Sequence, residues 1–109
     1  MPDAKRRQVK SKKYVKVQIK KSKSKGKKYD AVFTRADGRT KTVSFGATGY
    51  SDYTMHKDAA RKSRYMSRHA KREHWNQPDT AGSLSRWVLW NKPSFQASVA
   101  DYKRKFNLK

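Results

Sequence analysis

The side chains of this 109-residue chain that could do chemistry are mainly lysines and arginines, and the chemistry they offer is anion binding. Residues 1–28 contain 13 of these bases and a single acid, Asp3. Cations at this density neutralise phosphates, with an affinity that falls as the salt concentration rises. A solubilising tail is the alternative, but so much unopposed charge favours an anionic partner. We therefore predict a polyanion-binding arm over residues 1–28, whose contacts are Lys5, Arg6, Arg7, Lys10, Lys12, Lys13, Lys20, Lys21, Lys23, Lys25, Lys27 and Lys28.

A second group of bases has the spacing of one helix face. Four arginines recur every three or four residues between residues 54 and 74, where Asp58 and Glu73 are the only acids. A guanidinium group can bind phosphate or carboxylate through two parallel hydrogen bonds. The face could instead be simply solvated, as rows of charge usually are. We predict a second polyanion-binding row, made of Arg61, Arg64, Arg68 and Arg72.

Other kinds of site find little support in the sequence. The chain has no Cys, and His56, His69 and His74 lack the spacing of a metal motif. With eight acids and no thiol, a general acid–base pair or an activated nucleophile is hard to assemble. No phosphate-binding glycine loop and no nucleophile-elbow motif occurs. We expect a non-enzymatic protein with no cofactor, no metal and no small-molecule substrate.

The aromatic rings divide the chain into two parts. Residues 29–109 contain 12 of the 13 rings, which predicts one small packed domain there, attached to the arm of residues 1–28. Tyr50 and Tyr53 fall in a predicted loop over residues 46–53 and could stack on nucleic-acid bases. The rings expected in the core are Tyr29, Phe33, Phe45, Trp87, Phe95 and Phe106.

Three segments have the composition of β-strands. Residues 29–35 and 40–45 are rich in β-branched and aromatic residues, and Asp37 with Gly38 lies between them, which predicts a hairpin. Residues 14–20 alternate, with Val15, Val17 and Ile19 expected on one face of a third strand.

Helical patterns follow the strands. Residues 54–74 have the pattern of one helix, and residues 83–91 have that of a short helix or turn. A last helix is predicted from Pro93 onward, because proline suits the first turn of a helix. This order predicts an α+β fold, a hairpin or three-stranded antiparallel sheet followed by two to three helices. The residues expected to face inward are Met55, Ala59, Ser63 (or Lys62), Met66 and Ala70 in the first helix, Leu84, Trp87 and Val88 in the second element, and Phe95, Val99, Tyr102 and Phe106 in the last helix.

The charge balance and the hydropathy restrict where the protein can act. The net charge is +21, and residues 29–109 carry +9 of it (16 bases minus 7 acids), so even the folded part is basic. The longest apolar run is four residues, Trp87–Trp90, far short of the roughly 20 that span a membrane. No apolar signal-peptide segment follows the basic start. We expect a protein that is soluble, not secreted and without a membrane span.

Five segments together cover about three-quarters of the chain and leave out the N-terminal arm: KKYDAVFTRADGRTKTVSFG (27–46), GYSDYTMHKD (49–58), RYMSRHAKREHW (64–75), TAGSLSRWVLWNKPS (80–94) and ADYKRKF (100–106). These segments resemble a family of short, basic, uncharacterised proteins encoded by large double-stranded DNA viruses of algae and amoebae. The resemblance implies a viral origin and a component of the virion, and it carries over no functional residue.

Charge and resemblance together leave three functions open. A minor capsid protein would bridge capsomers, or the shell and the genome, through its basic arm laid on acidic capsid proteins. A core protein would condense genomic DNA by sequence-independent phosphate neutralisation. A regulatory nucleic-acid-binding module is the third. We expect the minor capsid protein, because condensation needs no specific fold, and we expect it in the virion and, during assembly, in the host cytoplasm or nucleus.

Overall fold

A computed structural model of the chain describes residues 13–109. A three-stranded antiparallel sheet in the order β1-β2-β3 precedes four α-helices, which confirms the predicted α+β class. The elements are β1 (Tyr14–Lys21), β2 (Lys27–Arg35), β3 (Thr40–Ala47), α1 (Tyr53–His56), α2 (Ala59–His69), α3 (Ala81–Leu84), a π-helical turn (Ser85–Leu89) and α4 (Phe95–Lys105).

The predicted hairpin is confirmed as β2 and β3. Gly38 has φ +93° in its turn, a backbone conformation that glycine adopts without steric cost. The Asp37 carboxylate accepts a hydrogen bond from the backbone N–H of Arg39 at 3.0 Å. The backbone N–H of Arg35 closes the turn by donating to the Arg39 carbonyl at 2.7 Å. Turn chemistry therefore sets the register of the two strands.

The predicted third strand is confirmed as β1, but its inward face was predicted wrongly at one end. A β-bulge lies between Tyr14 and Lys16, so the alternation of side chains shifts by one residue there. Tyr14 is buried against Phe33 with ring centroids 4.9 Å apart, whereas Val15 is 41% exposed. A tyrosine ring buries more surface than a valine, so the bulge places the larger side chain in the core.

The outer edge of β1 pairs with the last residue of the chain. The backbone N–H of Val17 donates to the Lys109 carbonyl at 3.0 Å, and the N–H of Lys109 donates to the Val15 carbonyl at 3.1 Å. Leu108 is buried beside this pairing. Because β1 and the turn after it lie inside the segment predicted as an arm, residues 14–28 belong to the sheet, and residues 1–12 lie outside the described residues.

The core lies between one face of the sheet and the C-terminal helices. Of the six rings predicted for the core, Phe33, Phe45 and Phe106 are buried, while the other three are half-buried at its margin. Tyr29 stacks on Phe95 with ring centroids 4.7 Å apart, which joins β2 to α4. The remaining buried residues of the core are Tyr14, Val17, Ala31, Leu84, Val88, Leu89, Tyr102 and Leu108.

The helix predicted over residues 54–74 was wrong as a single element. Lys57 takes a left-handed conformation with φ 56°, and Asp58 restarts the chain as the N-cap of α2, accepting from the N–H groups of Ala60 and Arg61. A side-chain cap competes with the backbone bonds that would continue a helix. α2 then ends at His69, five residues before the predicted end.

The inward face predicted for this segment was wrong at most positions, although Met66 and Lys62, the alternative to Ser63, are half-buried. Met55 is 61% exposed, and Ala59, Ser63 and Ala70 are exposed as well. α2 packs through Tyr65, which stacks on Trp90 with ring centroids 4.4 Å apart and planes within 3°. A large ring with a planar partner outweighs small alanines in setting the rotation of a helix that has no fully buried residue.

The last third of the chain folds as predicted in outline. α3 and the π turn occupy residues 81–89, where a short helix or turn was expected, and Leu84 and Val88 are buried there. Trp87 is half-buried and donates from Nε1 to the Trp75 carbonyl at 2.8 Å. Ser94 is the N-cap of α4, so Pro93 lies before the helix and not in its first turn.

Candidate polyanion-binding cleft

A cleft of about 550 Å³, which we call the basic cleft, opens between the end of the sheet and α2. One wall carries Lys27 and Lys28 from β2. The other carries Arg61, Arg64 and Arg68 from α2. Bases from the two regions that sequence spacing singled out therefore face one cavity. Its remaining lining residues are Gly46, Ala47, Tyr50, Ser51, Asp52, Tyr65, His69, Glu73, Ala81, Gly82, Ser85, Leu89 and Trp90.

The loop after β3 is anchored by Asp52 and holds the sheet wall in place. Asp52 is 2% exposed and accepts a hydrogen bond from Lys28 Nζ at 2.6 Å. Its other oxygen caps α1 by accepting from the Thr54 N–H at 3.0 Å. The Thr48 N–H donates to the Gly26 carbonyl at 3.0 Å, which ties the loop to the turn between β1 and β2. These bonds fix the loop that carries Tyr50.

A stack of three rings holds the helix wall. Tyr65 lies between Trp90 and His69, whose ring centroid is 4.3 Å from that of Tyr65. Burial raises the pKa of Tyr65 to about 12, so the phenol stays neutral in this stack. Lys62 Nζ donates to the Asn91 carbonyl at 2.7 Å, and burial lowers the pKa of this lysine. α2 is thus fixed with its arginines toward the cleft.

The charge of the cleft is positive and largely uncompensated. Of its two carboxylates, Asp52 is paired with Lys28, and a Glu73 oxygen lies 3.9 Å from His69 Nδ1. The arginines of the helix wall form no ion pair with any residue from 13 to 109. Guanidinium groups without carboxylate partners attract external phosphate or carboxylate.

The acidic side chains of residues 13–109 interact with other groups of the chain itself. Hydrogen bonds from Ser22 and Ser44, both 2.6 Å, hold the pKa of Asp30 below its usual value. Burial opposes the ionisation of Asp79, but bonds from Tyr14 and Lys41 outweigh it and lower its pKa. The remaining acids also lie beside groups of the chain itself: Asp37 beside Arg39, Asp52 beside Lys28, Asp58 at the α2 N-terminus, Glu73 at 3.9 Å from His69 Nδ1, and Asp101 beside Asn91 and Arg104.

The structure assigns the other predicted bases to different places. Lys13 lies 4.0 Å from Asp79 and Lys28 is bound to Asp52, so both already have internal partners. Lys20 and Lys21 are exposed on β1, while Lys23 and Lys25 are exposed in the turn that follows. Arg72 lies beyond the end of α2 in a turn and does not line the cleft. Lys5, Arg6, Arg7, Lys10 and Lys12 lie outside the described residues.

Two loop tyrosines predicted as possible base-stacking groups behave differently. Tyr50 is 73% exposed and lines the basic cleft, so its ring is accessible to a ligand there. Tyr53 starts α1 and is half-buried, with Lys62 Nζ 5.1 Å from its ring centroid. Sequence reasoning missed the stack of Trp90, Tyr65 and His69. Tyr65 and His69 are four residues apart, which is the spacing of one helix face, but Trp90 is 25 and 21 residues away from them and no local pattern links it to the pair.

Two further observations bear on the kinds of site available. Across residues 13–109, no group of three His, Asp or Glu side chains is placed to hold a metal ion. None of the helices in the described part of the chain is long and apolar enough to cross a membrane.

Residues 17–69 are similar to a family of unknown function, DUF5754. The matched segment runs from β1 to the end of α2 and therefore contains both charged walls of the basic cleft and Tyr50. No curated protein matches the chain, and no solved structure does.

Proposed function

We propose that this protein is a non-enzymatic basic structural protein of a virion, a minor capsid protein that bridges capsomers, or the shell and the genome. The observation that carries the proposal is that the acidic side chains are used within the fold, whereas the arginines of the basic cleft are not. Six of the seven acids in residues 13–109 accept hydrogen bonds from the chain itself and Glu73 lies 3.9 Å from His69 Nδ1, while the arginines of the basic cleft form no ion pair within residues 13–109. The surface is therefore cationic and suited to a polyanion.

The charge of the folded body supports a bridging role. The described residues hold 24 bases and 7 acids, a net charge of +17 (24 minus 7). Five further bases and Asp3 lie in residues 1–12. A cleft of defined shape on one side of a fixed sheet supports docking at a specific place, which loose condensation of DNA does not require. The viral assignment rests on the family resemblance and belongs to the same proposal.

A second function, binding the double-stranded viral genome as a core protein, is favoured by one observation. Arg61, Arg64 and Arg68 line one wall of the basic cleft and form no ion pair within residues 13–109, so they can bind backbone phosphates. Such contacts do not depend on base sequence, which fits the condensation of a genome.

A partition experiment on virions tests the proposal. Virions of the virus that encodes this chain would be opened gently, empty shells separated from nucleoprotein, and the chain followed through rising salt. We expect it to remain with DNA-free shells. Release together with the genome would favour the core protein instead. Absence from virions would contradict both functions.

A further inference from the structure

We propose that the basic cleft is a binding site for single-stranded nucleic acid, with phosphates on its arginines and an unpaired base on Tyr50. This inference rests on the proposed function as a polyanion-binding protein and specifies the ligand of one site. It goes beyond distributed counter-charge, because a stacked base adds an interaction that neither a duplex nor an acidic peptide can make.

The first step of the argument is the arrangement of positive charge. Arg61, Arg64 and Arg68 are spaced i, i+3 and i+7, so they form a row of roughly 10 Å along one face of α2. Lys27 lies on the opposite wall of the same cleft. A strand passing through the cleft would therefore meet cations on both sides. Phosphate suits this row, since guanidinium groups bind it bidentately.

The second step is the presentation of Tyr50. It is the one ring among the large hydrophobic side chains exposed in residues 13–109, the others being Val15 and Met55. Its loop is fixed by the Asp52 to Lys28 ion pair and by the Thr48 N–H bond to Gly26. An exposed ring on an anchored loop loses little conformational freedom when a base stacks on it.

The third step is the choice between polyanions. In a duplex the base faces are covered by their neighbours, so Tyr50 could contact the backbone or the groove edges of duplex DNA but could not stack on a base. An acidic peptide without aromatic residues, such as polyglutamate, would bind the arginines but would leave the ring without a stacking partner. A single strand satisfies both, because its bases can turn out of the stack while its phosphates remain on the cations.

The test compares the binding of three labelled probes to the full chain by fluorescence anisotropy. The probes are a short oligothymidylate, a duplex of the same length, and polyglutamate of similar charge. We expect Tyr50→Ala to weaken oligothymidylate binding roughly 5- to 100-fold and to leave polyglutamate binding unchanged. Tyr50→Phe, which keeps the ring, should bind like the original chain.

A charge variant separates the inference from the function on which it rests. Replacing Arg61, Arg64 and Arg68 by Ala together should weaken all three probes and reduce the salt dependence of binding. The control Arg39→Ala removes an exposed arginine that is paired with Asp37 in the hairpin turn, and it should change binding less. Since Tyr50 is exposed, an unchanged melting temperature would show that its variants fold.

Three results would overturn one claim or both. Equal loss of all probes in Tyr50→Ala, or no loss of any, would refute base stacking while leaving polyanion binding intact. A preference for duplex would refute the single-strand assignment. Failure of the original chain to bind any of the probes at low salt would refute the proposed function as well.

Discussion

Asp79 shows how a single residue determines the use of charge in this protein. It is buried beside β1 and β3, and it accepts hydrogen bonds from Tyr14 Oη at 2.8 Å and from Lys41 Nζ at 3.1 Å. A buried carboxylate is stable only when such donors replace water. Its negative charge therefore stabilises the sheet and is not available to neutralise the basic surface.

The first prediction concerns the acid sensitivity of this carboxylate. The pKa of Asp79 is lowered by folding, so its contribution to stability is present above its unfolded value, about 3.9, and is lost as the pH falls through the folded value. Asp79→Asn should cost about 1.5–3 kcal/mol at about pH 7, because a charge-assisted hydrogen bond is lost. Urea denaturation of both proteins measures this difference.

The same measurement in acid provides the check. As the pH falls through the lowered pKa of Asp79, the native carboxyl also becomes neutral, so the difference in unfolding free energy between the two proteins should shrink. Both proteins should still lose stability in acid, because the pKa values of Asp30 and Asp101 are also lowered by their hydrogen bonds. A difference that stayed constant from neutral to acid pH would contradict the role given to the Asp79 charge.

At the scale of elements, the interruption between α1 and α2 is the feature with the largest effect on the site. Lys57 turns the chain out of α1, and Asp58 starts α2 in a new direction. Lys57 Nζ donates to the carbonyls of Thr54 and Pro93, at 2.8 and 3.0 Å, and so fixes the turn to the start of α4. Without this break the arginines of α2 would follow the axis of α1.

The second prediction distinguishes two helices from one. Asp58→Ala should destabilise the protein by about 1 kcal/mol, since an N-cap is lost. In a continuous helix the same change would stabilise it by a few tenths of a kcal/mol, because Ala is the better helix former in a helix interior. Thermal or urea denaturation gives the sign. The matched control is Asp58→Asn, which keeps a capping side chain and should change stability little.

The sequence predicted the elements better than their packing. The hairpin followed from Asp37 and Gly38, because turn chemistry is local. The alternation in β1 predicted the strand and the inward side chain of Val17, but not the bulge that buries Tyr14 and exposes Val15. The rotation of α2 did not follow, since it depends on the contact of Tyr65 with Trp90, 25 residues away. When two faces of a helix have similar polar composition, the sequence does not show which of them is buried, because burial depends on which aromatic ring contacts another part of the chain.

The sequence predicted the two groups of bases that form the candidate site, but it did not predict that they line the same cleft. Arginine spacing indicated the helix wall, and lysine density indicated the sheet wall. The position of the sheet wall opposite the helix wall depends on the ion pair of Lys28 with Asp52, which no local sequence pattern predicts. The same ion pair removes Lys28 from the set of free cations that composition alone would count.

At the scale of the whole molecule, charge and stability oppose each other. The full chain carries +21, and like charges on a small body repel one another in the folded state. Salt screens this repulsion over distances beyond the Debye length, about 10 Å in 0.1 M salt. A polyanion would relieve it more strongly, because it supplies fixed counter-charge.

The third prediction follows from this repulsion. The melting temperature should rise when the salt concentration is raised from about 0.02 M to about 0.3 M. The variant Lys23→Glu with Lys25→Glu changes two exposed lysines in the turn between β1 and β2 and lowers the net charge by four. It should melt higher at low salt and gain less from added salt. An equal gain in both proteins would show that the repulsion does not limit stability.

The pairing of Lys109 with β1 also affects how copies of the chain behave together. An unpaired strand edge is a template on which another molecule can add a strand, and lysines along an edge discourage this. Lys109 covers the strand edge between Val15 and Val17 by backbone pairing, whereas the edge beyond Val17 is protected only by the charge of Lys20 and Lys21. A bound polyanion would neutralise the charge of these two lysines but would leave the pairing of Lys109 intact. Edge-to-edge association of the molecules would then begin at Ile19, and only where they are gathered on a polyanion.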